Sequence, residues 1–166
     1  MTLSTLLTFL GASVALTIAP GPDNIFVVTQ GITRGRRPAI VTALGMCSGI
    51  SVHTLLAAFG ISAVFYSSLI AFTVVKYAGA AYLVYLACGA LKERAQPYLS
   101  SGDDRPGPSL FKRGFIMNVL NPKVAMFFLA FLPQFAVPDA AWFPFQMLLL
   151  GFIFMIQAVI IFCLIG

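Results

Sequence analysis

An all-α, polytopic membrane bundle is the fold class this sequence predicts, and three observations predict it. Of its 166 residues 60% are hydrophobic and 9% charged, with a mean hydropathy of +0.96, whereas soluble domains carry roughly 25% charged residues. A soluble chain of this length has no core large enough to hide so much apolar surface, so its helices must meet lipid and one another. The apolar residues also run on without period-two alternation, which excludes a barrel of ~10-residue strands. Finally, the basic residues behind the net charge of +5 sit beside the ends of apolar runs. That placement is a topology signal, and no nucleic-acid partner is expected.

The first apolar run, residues 3–33, is too long for one straight span of about 20 residues. It has no basic leader and no small-residue cleavage site, so it reads as a retained span. At its middle stands Ala19-Pro20-Gly21-Pro22-Asp23-Asn24. Pro20 and Pro22 each remove a backbone donor and clash with the preceding turn, and Gly21 loosens the chain between them, so the helix must break. In hydrocarbon such a break is tolerated only where protein or water surrounds it, which makes it a candidate site as well as a bend. Arg34-Gly35-Arg36-Arg37-Pro38 closes the run with a basic turn.

A second span covers residues 39–59. Gly45 and Gly49 lie four apart and let a neighbouring helix approach closely, or they line a substrate path. His53 follows on the same helical side, either hydrogen-bonded in the bundle or, because imidazole titrates near neutral pH, relaying protons. Residues 60–73 read as a turn or interfacial segment, and a third span runs over 74–91 with Lys76 near its start, placed to snorkel towards the headgroups. Residues 92–113, rich in Pro, Gly, Ser and Asp, form a polar linker. A fourth span starts near Gly114 and is interrupted at Asn121-Pro122-Lys123. After a loop at 133–144 with Trp142, a fifth span starts near Phe145 and is still apolar at Gly166. The cysteines Cys47, Cys88 and Cys163 all lie inside apolar runs and read as small core residues.

The loop at Arg34, Arg36 and Arg37 and the linker with Lys92, Arg94, Arg105, Lys112 and Arg113 alternate with a loop at 133–144 that has no Lys or Arg. Positive loops face the cytoplasm, which puts the N-terminus outside and runs spans one and four in opposite directions. Each of those two spans carries a proline break beside a charge. The chain therefore reads as an inverted repeat of three helices each, a first repeat of about 1–91 and a second of 114–166 joined by the linker. Five spans are present, and a sixth is expected but absent. Broken helices in inverted repeats build midplane sites in many transporters.

Asp23 and Lys123 are the charges placed deepest in the apolar runs, and either alone in lipid costs several kcal/mol. They pair with each other and fix the two halves, or they serve a site: Asp23 takes the amino group of a zwitterionic amino acid and couples to protons, while Lys123 or nearby amides take its carboxylate. Asn24, Gln30, Asn118 and Asn121 are further buried amides that bridge helices or touch ligand. The candidate residues are thus Pro20, Gly21, Pro22, Asp23, Asn24, Gly45, Gly49, His53, Asn118, Asn121, Pro122 and Lys123. No Walker A loop, no HExxH and a single histidine leave no motif for ATP use, hydrolysis or a metal centre. Neither enzyme activity nor a cofactor is expected, and any uphill transport must draw on an ion gradient.

Several motifs together resemble the LysE/RhtB family of amino-acid exporters. They are Ala19-Pro20-Gly21-Pro22-Asp23, the basic turn over 31–37, Gly45 with Gly49, Lys76-Tyr77-Ala78-Gly79-Ala80-Ala81-Tyr82-Leu83 and Asn118-Val119-Leu120-Asn121-Pro122-Lys123. The resemblance covers nearly the whole chain and implies a six-helix exporter of amino acids or their derivatives in the bacterial inner membrane. It further implies drive by the proton motive force and a homodimer. Lacking the last helix, the sequence departs from the family pattern. The alternatives are a passive small-solute channel, a structural membrane subunit, and a membrane thiol-disulfide carrier. The last needs a cysteine at each break, where this chain has none.

Overall fold

The computed structural model describes residues 1–61, 69–92, 107–137 and 142–166, and among them every regular element is helical. Thr2 starts α1 (Leu3–Ile18) by accepting a hydrogen bond from the Thr5 amide at 3.1 Å, an ordinary N-cap. The helix stops before Pro20, and Pro22 opens α2 (Pro22–Arg34) from its first position, where no donor is required. The two axes bend by 59°. Gly35 alone makes the basic turn, at φ 88°, a left-handed conformation that glycine adopts without strain. Arg36, Arg37 and Pro38 already belong to α3 (Arg36–Leu55), because a proline in the first helical turn removes an amide that has no partner anyway. A π-helical stretch, Leu56–Ile61, extends α3.

The third span is α4 (Leu69–Lys92), which starts five residues earlier than expected: Leu69, Ile70, Ala71 and Phe72 are as apolar as the rest of the span, and no stop signal separates them from it. The turn expected before it falls mainly on residues 62–68, outside the described residues, as do 93–106 of the linker and Asp139. The linker is shorter than its composition implies. Gly107 begins α5 (Gly107–Val119) with Pro108 beside it, and Pro at a helix start is a favourable signal. Asn121 then caps α6 (Pro122–Met126), accepting from the Lys123 amide at 2.9 Å. The α5/α6 break bends the chain by 47°. A π-helical turn, Phe127–Phe131, and a 3₁₀ turn, Leu132–Phe135, continue it, and α7 (Phe143–Ile165) closes the chain.

Residues 36–60 and α7 are each long and apolar enough to cross a membrane, and so is each bent pair when counted as one span. Two apolar faces on α7 explain its composition. Phe143, Met147, Leu150, Phe154, Ala158 and Phe162 are buried, whereas Phe145, Leu149, Phe152, Ile156, Ile160 and Leu164 are exposed, as befits a helix between a bundle and lipid.

Helix directions follow from which residues meet. Gly45 lies against Phe111, Gly49 against Phe115 and Asn118, and Gly114 against Thr42 and Met46, so α3 and α5 run parallel. Thr54 meets Gly151 and Ala39 meets Gly166, so α3 and α7 run antiparallel. The two broken helices are antiparallel throughout: Phe9 stacks with Phe135, Ala19 meets Lys123, Asp23 meets Asn118 and Phe26 meets Arg113. Beneath them Phe9, Phe127, Phe128 and Phe154 form a continuous aromatic core with ring centroids 5.2–6.3 Å apart, the offset and edge arrangements aromatic rings favour. Cys47 is buried in the core as expected, but Cys88 is exposed on α4. Its neighbours Val84 and Tyr85 are exposed too, so this outward face is apolar throughout and its pattern does not mark the residue as outward.

Candidate functional site

The antiparallel pairing of the two broken helices sets their breaks side by side. At the end of α1 the helix has lost the amides that would bind its last carbonyls, and side chains replace them. Asn24 Nδ2 donates to the Thr17 carbonyl at 2.8 Å and to the Ile18 carbonyl at 3.2 Å, while Lys123 Nζ donates to the Ala19 carbonyl at 2.9 Å. Gly21 makes room for this reach, since a Cβ there would lie 3.1 Å from Lys123 Nζ. The ammonium thus rests at the negative end of α1, and Asp23 occupies the first turn of α2, at a positive end. Both placements are favourable to the helix dipoles.

Asp23 is 3% exposed, and Asn118 Nδ2 donates to its Oδ2 at 3.0 Å. Lys123, Asn121 and His53 all stand near enough to act on its charge. Asn121 Nδ2 is buried beside the same carboxylate, whose Oδ1 turns towards no other group among the described residues. The junction therefore gathers a carboxylate, two amide donors and an ammonium, with the carboxylate and the ammonium bonded to separate partners. His53 closes the site from α3. Its Nε2 lies 3.1 Å from the Asn118 carbonyl, which only accepts, so Nε2 carries the proton. The ring also packs against Phe128 at 5.9 Å.

The sequence candidates thus separate into four groups. Asp23, His53, Asn118, Asn121 and Lys123 come together at the two breaks, with Gly21 admitting the lysine. Pro20, Pro22 and Pro122 are exposed and shape the breaks without facing the junction. Gly45 and Gly49 form the seam against α5: a Cβ on Gly45 would strike the Phe111 carbonyl, and one on Gly49 would lie 2.8 Å from Asn118 Oδ1. Asn24 turns instead towards the end of α1. There it joins Ser13, Thr17 and Gln157, of which the last donates to Thr17 Oγ at 2.9 Å. Sequence reasoning passed over these three. Gln157, an amide inside an otherwise apolar helix, carried a signal. Ser13 and Thr17 did not, because helix hydroxyls commonly bond their own backbone, as Thr17 does to the Ser13 carbonyl at 2.8 Å.

Comparison with known proteins bears on the same features. The family LysE type translocator is matched over residues 14–166, which includes both breaks. The chain is 34% identical over 137 residues to a homoserine/homoserine lactone efflux protein of Salmonella typhimurium, covering 79% of this chain and 64% of that protein. It is 32% identical over 146 residues to an uncharacterized membrane protein of Vibrio cholerae, covering 87% of this chain and 71% of the other. A third relative, the uncharacterized membrane protein YrhP of Bacillus subtilis, is 30% identical over 140 residues, 78% of this chain and 67% of the relative. The chain therefore spans about two thirds of the length of these relatives. No solved structure matches it. With apolar helices that meet lipid, two paired helix breaks and a family match across nearly its whole length, this multi-pass membrane chain belongs to the LysE type translocators.

Proposed function

We propose that the protein exports amino acids or their derivatives from the cytoplasm, through a site at the paired breaks. The observation that carries this reading is the gathering at the two breaks of the buried Asp23 carboxylate, the Asn118 and Asn121 amides and the Lys123 ammonium. A zwitterion presents the complement of that set: its ammonium to Asp23, its carboxylate to Asn121 and Lys123. The Lys123 ammonium has three donors, of which one is given to the Ala19 carbonyl, and a carboxylate that arrives gains an ion-paired hydrogen bond from it. The efflux relative of Salmonella typhimurium is named for homoserine and its lactone, and of the two, homoserine is the zwitterion that fits this set of groups.

In this reading the antiparallel broken helices are the cores of two inverted halves, residues 1–91 and 114–166 about the linker 92–113, and the site lies near the membrane midplane. The protein sits in the inner membrane with its N-terminus outside, as the basic turn and linker require. The proton motive force drives export through Asp23, and the working unit is a homodimer.

Counterflow of radiolabelled homoserine in vesicles reconstituted with the full chain tests the proposal. Saturable exchange that Asp23→Asn abolishes, with normal insertion of the variant, is the expected result. Full exchange by Asp23→Asn, or a linear leak without exchange, overturns it.

A further inference from the structure

The two broken helices meet again one turn beyond the junction, where the Arg113 guanidinium of α5 lies 4.8 Å from the centroid of the Phe26 ring on α2. On α2 Phe26 lies between Asp23 and the basic turn, and on α5 Arg113 lies between the helix start and Asn118, so the contact stands on the basic-turn side of the junction. Asp23, Phe26, Val27 and Gln30 are the buried residues of α2, spaced as one helical stripe. Val27 meets Gly166 at the end of α7, whereas Phe26 turns to α5 and sets an apolar ring between the buried Asp23 and Gln30. Arg113 is half-buried, and its neighbour Gly114 is held in the seam against Thr42 and Met46. The α5 backbone is thus fixed here, while the guanidinium ends a long side chain.

The two ends of the junction are closed by different chemistry. Beyond Ala19 and Lys123, the rings of Phe9, Phe127, Phe131 and Phe135 pack on one another with centroids 5.1–6.3 Å apart, apolar contacts for which a polar solute does not compete. On the other side stands one ring under one guanidinium. That contact is the exchangeable one, because a guanidinium gives up a ring face for a carboxylate, which it binds through two parallel hydrogen bonds. We infer that Phe26 and Arg113 form the gate of the Asp23–Lys123 junction towards the basic-turn end of the bundle. The inference rests on the reading of that junction as the transport site. Swinging Arg113 off the ring opens the junction at this end without moving the α3–α5 seam.

Access of a small reagent to the junction tests the gate without any transport measurement. In a background without the native cysteines, Asn118→Cys places a thiol at the junction. Its rate of reaction with a membrane-impermeant methanethiosulfonate is read in right-side-out and inside-out membrane vesicles, and the face at which Arg36→Cys reacts marks the basic-turn end. Arg113→Gln and Phe26→Leu, of which the second keeps most of the apolar volume and loses the π face, should each raise the rate from that face by roughly two- to thirtyfold, the factor a cation–π contact supplies. The double variant should be no faster than the faster single one, and Phe26→Trp, which keeps a ring for the guanidinium, should stay as slow as the parent. An unchanged rate in both single variants, or an equal rise from the opposite face, overturns the gate. So does a parallel rise at Met147→Cys, a fully buried position on α7, because the contact would then be a brace whose loss loosens the whole bundle. Homoserine exchange reads the junction separately: its absence from the parent protein with the labelling pattern intact overturns the export reading alone, and exchange with unaltered labelling overturns the gate alone.

Discussion

Asn118 holds the junction together through two different groups: its side chain donates to Asp23 Oδ2, and its backbone carbonyl receives His53. Replacing it by leucine removes a donor from a buried carboxylate and leaves the helix backbone in place. Asn118→Leu is therefore expected to lower stability by about 1–3 kcal/mol, read as a drop in the detergent unfolding temperature, and to reduce homoserine exchange. His53 makes a different prediction. Its ring donates to a carbonyl that only accepts, so His53→Gln, which keeps a donor, should retain stability and exchange, whereas His53→Leu should lose stability. If His53→Gln abolishes exchange while the protein stays folded, the histidine is relaying protons and not merely bonding. The residue types at the junction were legible in the sequence, since ionisable and amide groups stand out in apolar runs. Their pairings were not. Asp23 and Lys123 could pair with each other or face a shared site; in the fold Lys123 bonds the Ala19 carbonyl that the break leaves free, and Asp23 accepts from the Asn118 amide.

Among the helices, the seam between α3 and α5 is a close approach built from glycine on both sides. A Cβ on Gly45 would strike the Phe111 carbonyl, and one on Gly114 would lie 2.5 Å from the Thr42 carbonyl. Because the obstacles are backbone atoms that cannot rotate away, Gly45→Ala and Gly114→Ala should each destabilise by about 1–3 kcal/mol. Gly11, with open space around it, is the control: Gly11→Ala should be neutral or slightly stabilising, as alanine is the better helix former by up to ~1 kcal/mol. Unfolding temperatures of the three variants in one detergent decide the comparison. Equal effects at Gly11 and Gly45 would mean that helix propensity and not the seam governs. The Gly45–Gly49 spacing already indicated a close approach, but the identity of the approaching helix lay with its partner, Gly114, whose sequence surroundings carry no such pattern.

For the whole molecule, the antiparallel packing of α3 and α7 imposes a labelling pattern. In a background without the native cysteines, Arg36→Cys at the start of α3 and Ile165→Cys at the end of α7 stand at one end of the bundle, since Ala39 meets Gly166, and Val137→Cys stands at the other. A membrane-impermeant thiol reagent added to intact cells is expected to label Val137→Cys and to leave the other two protected. Labelling of Arg36→Cys and Ile165→Cys with protection of Val137→Cys would keep the helix pairing but invert the proposed orientation. Labelling that splits Arg36→Cys from Ile165→Cys would contradict the antiparallel packing of α3 and α7.

The sequence by itself determined the class, the positions of both breaks and the order of the spans. Each of these follows from local causes: a proline has no amide wherever it stands, and apolar length and terminal charge are read along the chain without reference to any neighbour. It placed helix starts less well, at Leu69 and Gly107, where apolar or capping residues blend into the residues before them. Tertiary structure alone decided that the breaks lie side by side, that Lys123 caps α1, that Asn24 turns away from Asp23, and that Gln157 reaches Thr17 across 140 residues. Those outcomes depend on which carbonyls a break leaves without amides and which distant side chain arrives first to bind them, and that is settled only when the helices pack.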